Sequence, residues 1–193
     1  DKQKKKLKIK CLTSNNKPPV LSIFRGFSAP VIWESDLSSD DYLFLFLNDN
    51  DYFTRWDSGQ YVMRKIIKSR INNQLDTSLE FRFNNIIKKS IINLASQDPF
   101  FLATLITLPG LSEIESLFEK VNPVSIYKEC MSLKVSIGRD LFDDFSSLLE
   151  RILFNVNQPW PKGRGERKLL GIIWSYLALA GDENVKKDCV NSI

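Results

Sequence analysis

The stretch PVSIYKECMSLKVSIGRDLFDDFSSLLERILF, Pro123 to Phe154, decides the fold class. Its apolar residues Ile126, Cys130, Leu133, Ile137, Leu141, Phe145, Leu148 and Ile152 recur at steps of three and four, the spacing that lines one face of an α-helix. Asn122 and Pro123 supply the start signal, and the spacing predicts one long helix from about Pro123 to Phe154. Gly138, in its middle, marks either close packing or a bend.

Working outward, the same signature recurs. Serine and aspartate caps in SDLSSDD precede YLFLFLND, a short, heavily buried helix. A second helix runs from near Asp51 to about Arg70, with Phe53, Trp56, Tyr61, Val62, Ile66 and Ile67 on its apolar face. INNQLDTSLEFRFNN reads as a polar loop, followed by a helix over about Asn85 to Leu94. SQDPFFLATLITL has Asp98 as N-cap and Pro99 at the first helical position, with Pro109 and Gly110 ending it. SEIESLFEK is a short helix opened by Ser112; NQPWPKGRG is a loop; a central helix covers about Glu166 to Ala180, and GDENVKKDCVNSI restarts a helix to the chain end. Toward the N-terminus, Leu7 to Trp33 reads as two or three short β-strands, too few to stand alone. The expected fold is therefore mainly α: antiparallel helical hairpins forming an irregular, solenoid-like α-superhelix, with those strands at its N-terminus.

Charge and composition narrow the chemistry. The net charge of +4 resides in DKQKKKLKIK, which carries +5, while the rest of the chain carries −1. That segment reads as a charged edge strand or exposed end rather than a nucleic-acid or lipid patch. No nucleic acid and no membrane partner are expected. The longest apolar stretch, Leu169 to Gly181, is shorter than the roughly 20 residues of a membrane span. Three cysteines, Cys11, Cys130 and Cys189, lie far apart in no metal or disulfide spacing, which fits a reducing, cytoplasmic setting.

The sequence has no histidine, which removes H-E-x-x-H zinc sites, Ser-His-Asp triads and imidazole bases. PKGRGER, with Gly163 and Gly165, matches no phosphate loop. The adjacent pairs Asp40–Asp41 and Asp143–Asp144 face different directions on a helix and make poor shared sites. No catalytic, cofactor-binding or metal-ligating residue is assigned.

DYFTRWDSGQ, Asp51 to Gln60, gathers charge and aromatics in ten residues. It reads either as a polar pocket in which Arg55 clamps a carboxylate or, preferred here, as a packed joint. In the joint, Asp51 and Arg55 pair at four-residue spacing and Trp56 fills an interface.

Several stretches resemble the C-terminal part of the aminopeptidase N family of zinc metallopeptidases, in its bacterial and protozoan branch. SIFRGFSAPV (Ser22 to Val31) is similar to the segment ending that family's small β-sandwich, and DYFTRWDSGQ to its D-x-F-x-R-W-[DE]-x-x-Q segment. TLITLPG (Thr104 to Gly110) with VNPVSI (Val121 to Ile126) resembles the TLPSE and DPxAI pair, and RKLLGIIWSYLA (Arg167 to Ala178) the R-x-L-[RK]-N-x-x-L-x-Y-L-A helix. The order is collinear from about residue 20 to 190. Departures fall at Leu111, Asn122 and Gly171, where the family has Glu, Asp and Asn.

The resemblance implies residues 1–36 as the last strands of a β-sandwich and 37–193 as the first part of a helical cap. It implies a parent enzyme that cleaves N-terminal residues from peptides by zinc-activated water, with the zinc motif, the general-base glutamate and the G-A-M-E-N segment in an upstream domain. The parent's partners would be a peptide substrate, met through that catalytic domain, and intramolecular contacts between this chain and the remaining domains. This chain would be an inactive fragment whose role is structural, capping the active site and restricting peptide access. From another class comes the alternative of a stand-alone helical-repeat interaction module.

Overall fold

The computed structural model describes residues 19–28, 35–153 and 156–191, with side chains up to 187. Nine α-helices lie among them: α1 Ser39–Asn48, α2 Tyr52–Ile71, α3 Thr77–Leu94, α4 Pro99–Leu105, α5 Leu111–Glu115, α6 Pro123–Asp140, α7 Phe142–Leu153, α8 Arg164–Ala180 and α9 Glu183–Asn191. A single 3₁₀ turn, Arg25–Phe27, precedes them. The chain is a helical superhelix built on one continuous apolar core.

Side-chain caps set most of the helix starts. Ser38 and Asp41 form a reciprocal capping box on α1, with Ser38 N–H donating to Asp41 (2.8 Å) and Asp41 N–H to Ser38 Oγ (3.2 Å). The side-chain and backbone hydrogen bonds from Ser38 hold the Asp41 carboxyl below the usual carboxylate range. Asp51, Asp76, Asp98 and Asn122 cap α2, α3, α4 and α6 by accepting from Thr54, Leu79, Phe101 and Val124 N–H groups. Gly181, at φ 108°, ends α8 in the left-handed conformation glycine tolerates.

Four expectations are corrected. The polar stretch before Asn85 is not a loop: α3 begins at Thr77 and only residues 72–76 are irregular. Its buried face steps by four through Leu79, Phe83, Ile87 and Ile91, and its polar members find distant partners. Glu80 accepts from Arg70 Nε at 2.8 Å, and Asn84 donates to Asp140 at 2.7 Å. The long helix is two helices broken at Leu141 (φ −113°, ψ 21°). The apolar spacing runs through the break because α6 and α7 both pack on α8, and the bend lets them wrap it. Helix α4 ends at Leu105, before Pro109: Thr107 Oγ1 donates to the Ala103 carbonyl, the acceptor Thr107 N–H would meet in a continuing helix, and the carbonyls of Ile106 and Thr107 beyond it accept from buried side chains. Helix α5 opens at Leu111, with Gly110 rather than a serine as its N-cap.

The anticipated strands lie largely outside the described residues; of the part inside, residues 20–24 are not in a strand. The division at residue 36 likewise falls mainly on residues outside the described set.

Helix α8 is the axle: α4, α6, α7 and α9 all pack against it. Gly138 is the close-packing residue of the two options its position raised, for a Cβ there would lie 2.5 Å from the Tyr176 carbonyl oxygen. Gly171, also inside a helix, faces open space. Arg167 ties the preceding loop to α8, donating to the carbonyls of Val156, Gln158 and Lys162.

The two glycines give a paired prediction for urea unfolding. Gly138→Ala should lower stability by about 1–3 kcal/mol through overpacking against backbone. Gly171→Ala should raise it by about 0.5–1 kcal/mol through helix propensity alone. Equal signs would contradict the packing described.

Candidate functional site

DYFTRWDSGQ is where three segments meet. Asp51 caps α2, accepting from Thr54 N–H (2.9 Å) and Thr54 Oγ1 (3.0 Å), and its second oxygen accepts from Gly26 N–H at 2.9 Å. Burial pushes its carboxyl upward, but these hydrogen bonds outweigh burial and hold it below the usual range. Phe24, just before the 3₁₀ turn it secures, and Gly26 and Phe27 within it have φ of 53°, 63° and 53°, left-handed values that the two phenylalanines disfavour. Arg25 fastens the same turn to Asp49 at 3.0 Å and to Asn50.

Arg55 does not pair with Asp51, as the four-residue spacing suggested. Only 8% exposed, it turns back to α1, where Nε donates to the Phe46 carbonyl at 3.0 Å. That carbonyl belongs to the last turn of α1, whose acceptors lack intrahelical donors, and the dipole there favours a cation. The other side of the guanidinium faces the Phe101 ring at 5.3 Å. Gln60 Nε2 donates to the Thr107 carbonyl at 3.0 Å, tying α2 to the end of α4. Gly59 admits the Phe46 ring, which a Cβ would meet at 3.0 Å. Trp56 is partly buried, tilted on Phe53 at 5.9 Å. The pocket reading of Arg55 is therefore replaced by the joint.

Beside the joint lies a cavity of about 380 Å³, lined among others by Phe24, Phe27, Tyr42, Phe53, Asp57 and Arg64. Burial raises the Asp57 carboxyl, and Arg64, at 3.8 Å, partly offsets this. Tyr42 stacks on Tyr61 at 3.8 Å and shares a hydrogen bond with Ser35 (2.7 Å). Among the described residues lining it, Asp57 is the one carboxylate, with Arg64 rather than a second carboxylate beside it, and the hydroxyls of Ser35 and Tyr42 engage each other. The cavity can receive apolar and aromatic side chains.

The adjacent carboxylates serve separate partners. Asp40 pairs with Arg82 while Asp41 caps α1, and Asp144 pairs with Lys88 at 3.0 Å. No group of three histidine, cysteine, aspartate or glutamate residues able to hold a metal occurs among the described residues. Sequence reasoning missed the cluster of Arg164 and Lys168 on the Phe100 ring, whose members come from α8 and α4.

Residues 39–193 match the family described as "Domain of unknown function (DUF3458_C) ARM repeats". The chain belongs to this family. It is 31% identical over 176 residues to an aminopeptidase N of Caulobacter vibrioides, which covers 91% of this chain and 18% of that protein. Aminopeptidase N of Escherichia coli is 26% identical over 133 residues, covering 67% of this chain and 15% of that one. The crystal structure of Legionella pneumophila aminopeptidase A in complex with aspartic acid superimposes with a TM-score of 0.73 at 24% identity, covering 86% of this chain and 20% of that one. The DUF3458_C chain thus spans a fifth or less of these relatives' length. The aminopeptidase N resemblance of the sequence is borne out, and the Legionella structure shares the fold of this DUF3458_C domain.

Arg55→Met keeps the volume and removes the donor. It should lower unfolding free energy by about 1–3 kcal/mol, the cost of leaving a buried carbonyl unpaired. A change below about 0.5 kcal/mol in denaturant unfolding would contradict the assigned role.

Proposed function

We propose that this DUF3458_C domain is part of a zinc-dependent aminopeptidase that removes N-terminal residues from peptides, and that its own role is structural: it caps the active site and limits access to short peptides. The observation carrying this reading is the 31% identity to an aminopeptidase N across 91% of the chain. The local geometry supports a structural role, since Asp51, Arg55 and Gln60 of DYFTRWDSGQ are committed to a cap, a helix end and an interhelical tie.

Zinc does not fit the residues of this chain. The sequence contains no histidine, and the described residues offer no cluster of three donors. Under the proposal the metal, the general base and the amino-group contacts reside in another domain of the enzyme. A reducing, cytoplasmic setting belongs to the same reading, in keeping with three cysteines in no disulfide spacing and a buried Cys130 thiol. Among the described residues no helix is long and apolar enough to cross a membrane.

The 193-residue chain alone is expected to release no chromophore from an aminoacyl-anilide and to bind no stoichiometric zinc by elemental analysis. Coding sequence upstream should encode H-E-x-x-H followed by a glutamate on a later helix. Hydrolysis or zinc uptake by the clean chain would overturn the structural role; an upstream sequence without the zinc motif would favour a stand-alone helical-repeat interaction module.

A further inference from the structure

Most of the short-range ion pairs of this chain join one cation to one carboxylate, as in Arg25–Asp49, Arg70–Glu80 and Lys88–Asp144. Arg64 meets two carboxylates, Asp57 and Glu113, and elsewhere two cations share one aromatic ring. Arg164 and Lys168, one turn apart on α8, both lie over the ring of Phe100, with Cζ 4.8 Å and Nζ 3.9 Å from its centroid. Neither forms an ion pair among the described residues, and the charge of Arg164 acts repulsively on Lys168.

The arrangement is held by the backbones beneath it. Gly165 allows α8 to approach α4 so closely that a Cβ would lie 2.9 Å from Phe100 N. Lys168 Nζ donates to Thr104 Oγ1 at 2.7 Å, while Thr104 donates its own hydroxyl proton to the Phe100 carbonyl at 3.0 Å. Asp98, the acid adjoining this end of α4, is engaged as the N-cap on Phe101. Burial and then the Arg164 charge lower the proton affinity of the Lys168 ammonium. An incoming anion would relieve both charges.

The neighbouring surface is aromatic. Phe100 is 37% exposed, and Tyr52, 54% exposed, stacks on Phe101 at 4.1 Å. An arginine fork matches a planar carboxylate through two parallel hydrogen bonds, a lysine adds a point charge, and the rings accept the apolar parts of a chain. Free phosphate would gain nothing from the rings. We propose that Arg164 and Lys168, held on Phe100, form a recognition site for the carboxylates of acidic peptides. The inference rests on reading the chain as part of a peptidase, and names the substrate class that its surface would favour.

The test measures binding of a fluorescent hexapeptide containing glutamate and phenylalanine to the 193-residue chain, beside its glutamine analogue. The acidic peptide should bind at least tenfold tighter, weaken as salt rises, and lose that preference in Arg164→Gln/Lys168→Gln. Arg164 is exposed and Lys168 half-buried, so an unchanged circular dichroism spectrum is the check that the variant remains folded, and Arg164→Gln alone, which leaves the Lys168–Thr104 hydrogen bond in place, should already weaken the preference. Equal affinity for the glutamine analogue would overturn the site. So would affinity retained in the double variant, as the basic segment 1–10 alone would give. Displacement by inorganic phosphate or a single-stranded oligonucleotide as effective as by unlabelled acidic peptide would overturn the peptide assignment. The assay needs no catalytic domain, so a negative result leaves the aminopeptidase reading standing, while a missing zinc motif upstream would leave a positive binding result intact.

Discussion

Tyr176 is the contact on which the helical frame converges. Its side chain, 1% exposed, donates its hydroxyl to the Ile106 carbonyl at 2.6 Å, satisfying an acceptor released where α4 ends. Its ring stacks on Phe145 of α7 at 5.2 Å, and Lys134 of α6 lies over the same ring at 5.4 Å. Its backbone carbonyl occupies the space that Gly138 leaves empty. One residue of α8 therefore touches α4, α6 and α7 at once. Burial pushes the Tyr176 phenol well above its ordinary value, so the hydroxyl is a donor throughout the neutral range.

The joint at α1 and α2 applies the same economy to a different problem. Helix ends leave polar backbone groups without partners, and a connection between elements must satisfy them. Asp51 closes the start of α2 and holds the preceding turn; Arg55 closes the end of α1; Gln60 closes the end of α4. Charge and aromatic content gathered in ten residues resemble a site because both sites and joints need polar groups held among apolar ones. Partners separate the two cases: here Asp51, Arg55 and Gln60 face backbone groups, and the carboxylate of the adjoining cavity, Asp57, lies beside Arg64.

Much of the fold was legible because its signals are local. Caps such as Ser38, Asp51, Asp98 and Asn122 act within three residues, and apolar spacing acts within four. What escaped depends on residues far apart in the chain. Thr77–Leu94 looked polar at its start because Glu80 and Asn84 meet Arg70 and Asp140, ten and 56 residues away. The break at Leu141 carries no proline or glycine, and its cause is the surface of α8. Arg55 chose the Phe46 carbonyl over Asp51 because a helix end left that acceptor free. The pairing of Arg164 and Lys168 on Phe100 needs α4 and α8 side by side, and no spacing within either helix announces it. The family resemblance, by contrast, was legible through collinear motifs, several of which prove to be structural: the Arg of the R-x-L run wraps a loop, and its Tyr is Tyr176.

Equilibrium urea unfolding of Tyr176→Phe at neutral pH tests the convergence most directly, because the change deletes one hydroxyl and keeps the ring. With Ile106 left as a buried, unpaired acceptor, stability should fall by about 1–3 kcal/mol with the unfolding slope unchanged. A variant as stable as the parent, or one stabilised by the loss, would contradict the claim that α4 and α8 are locked together at this residue.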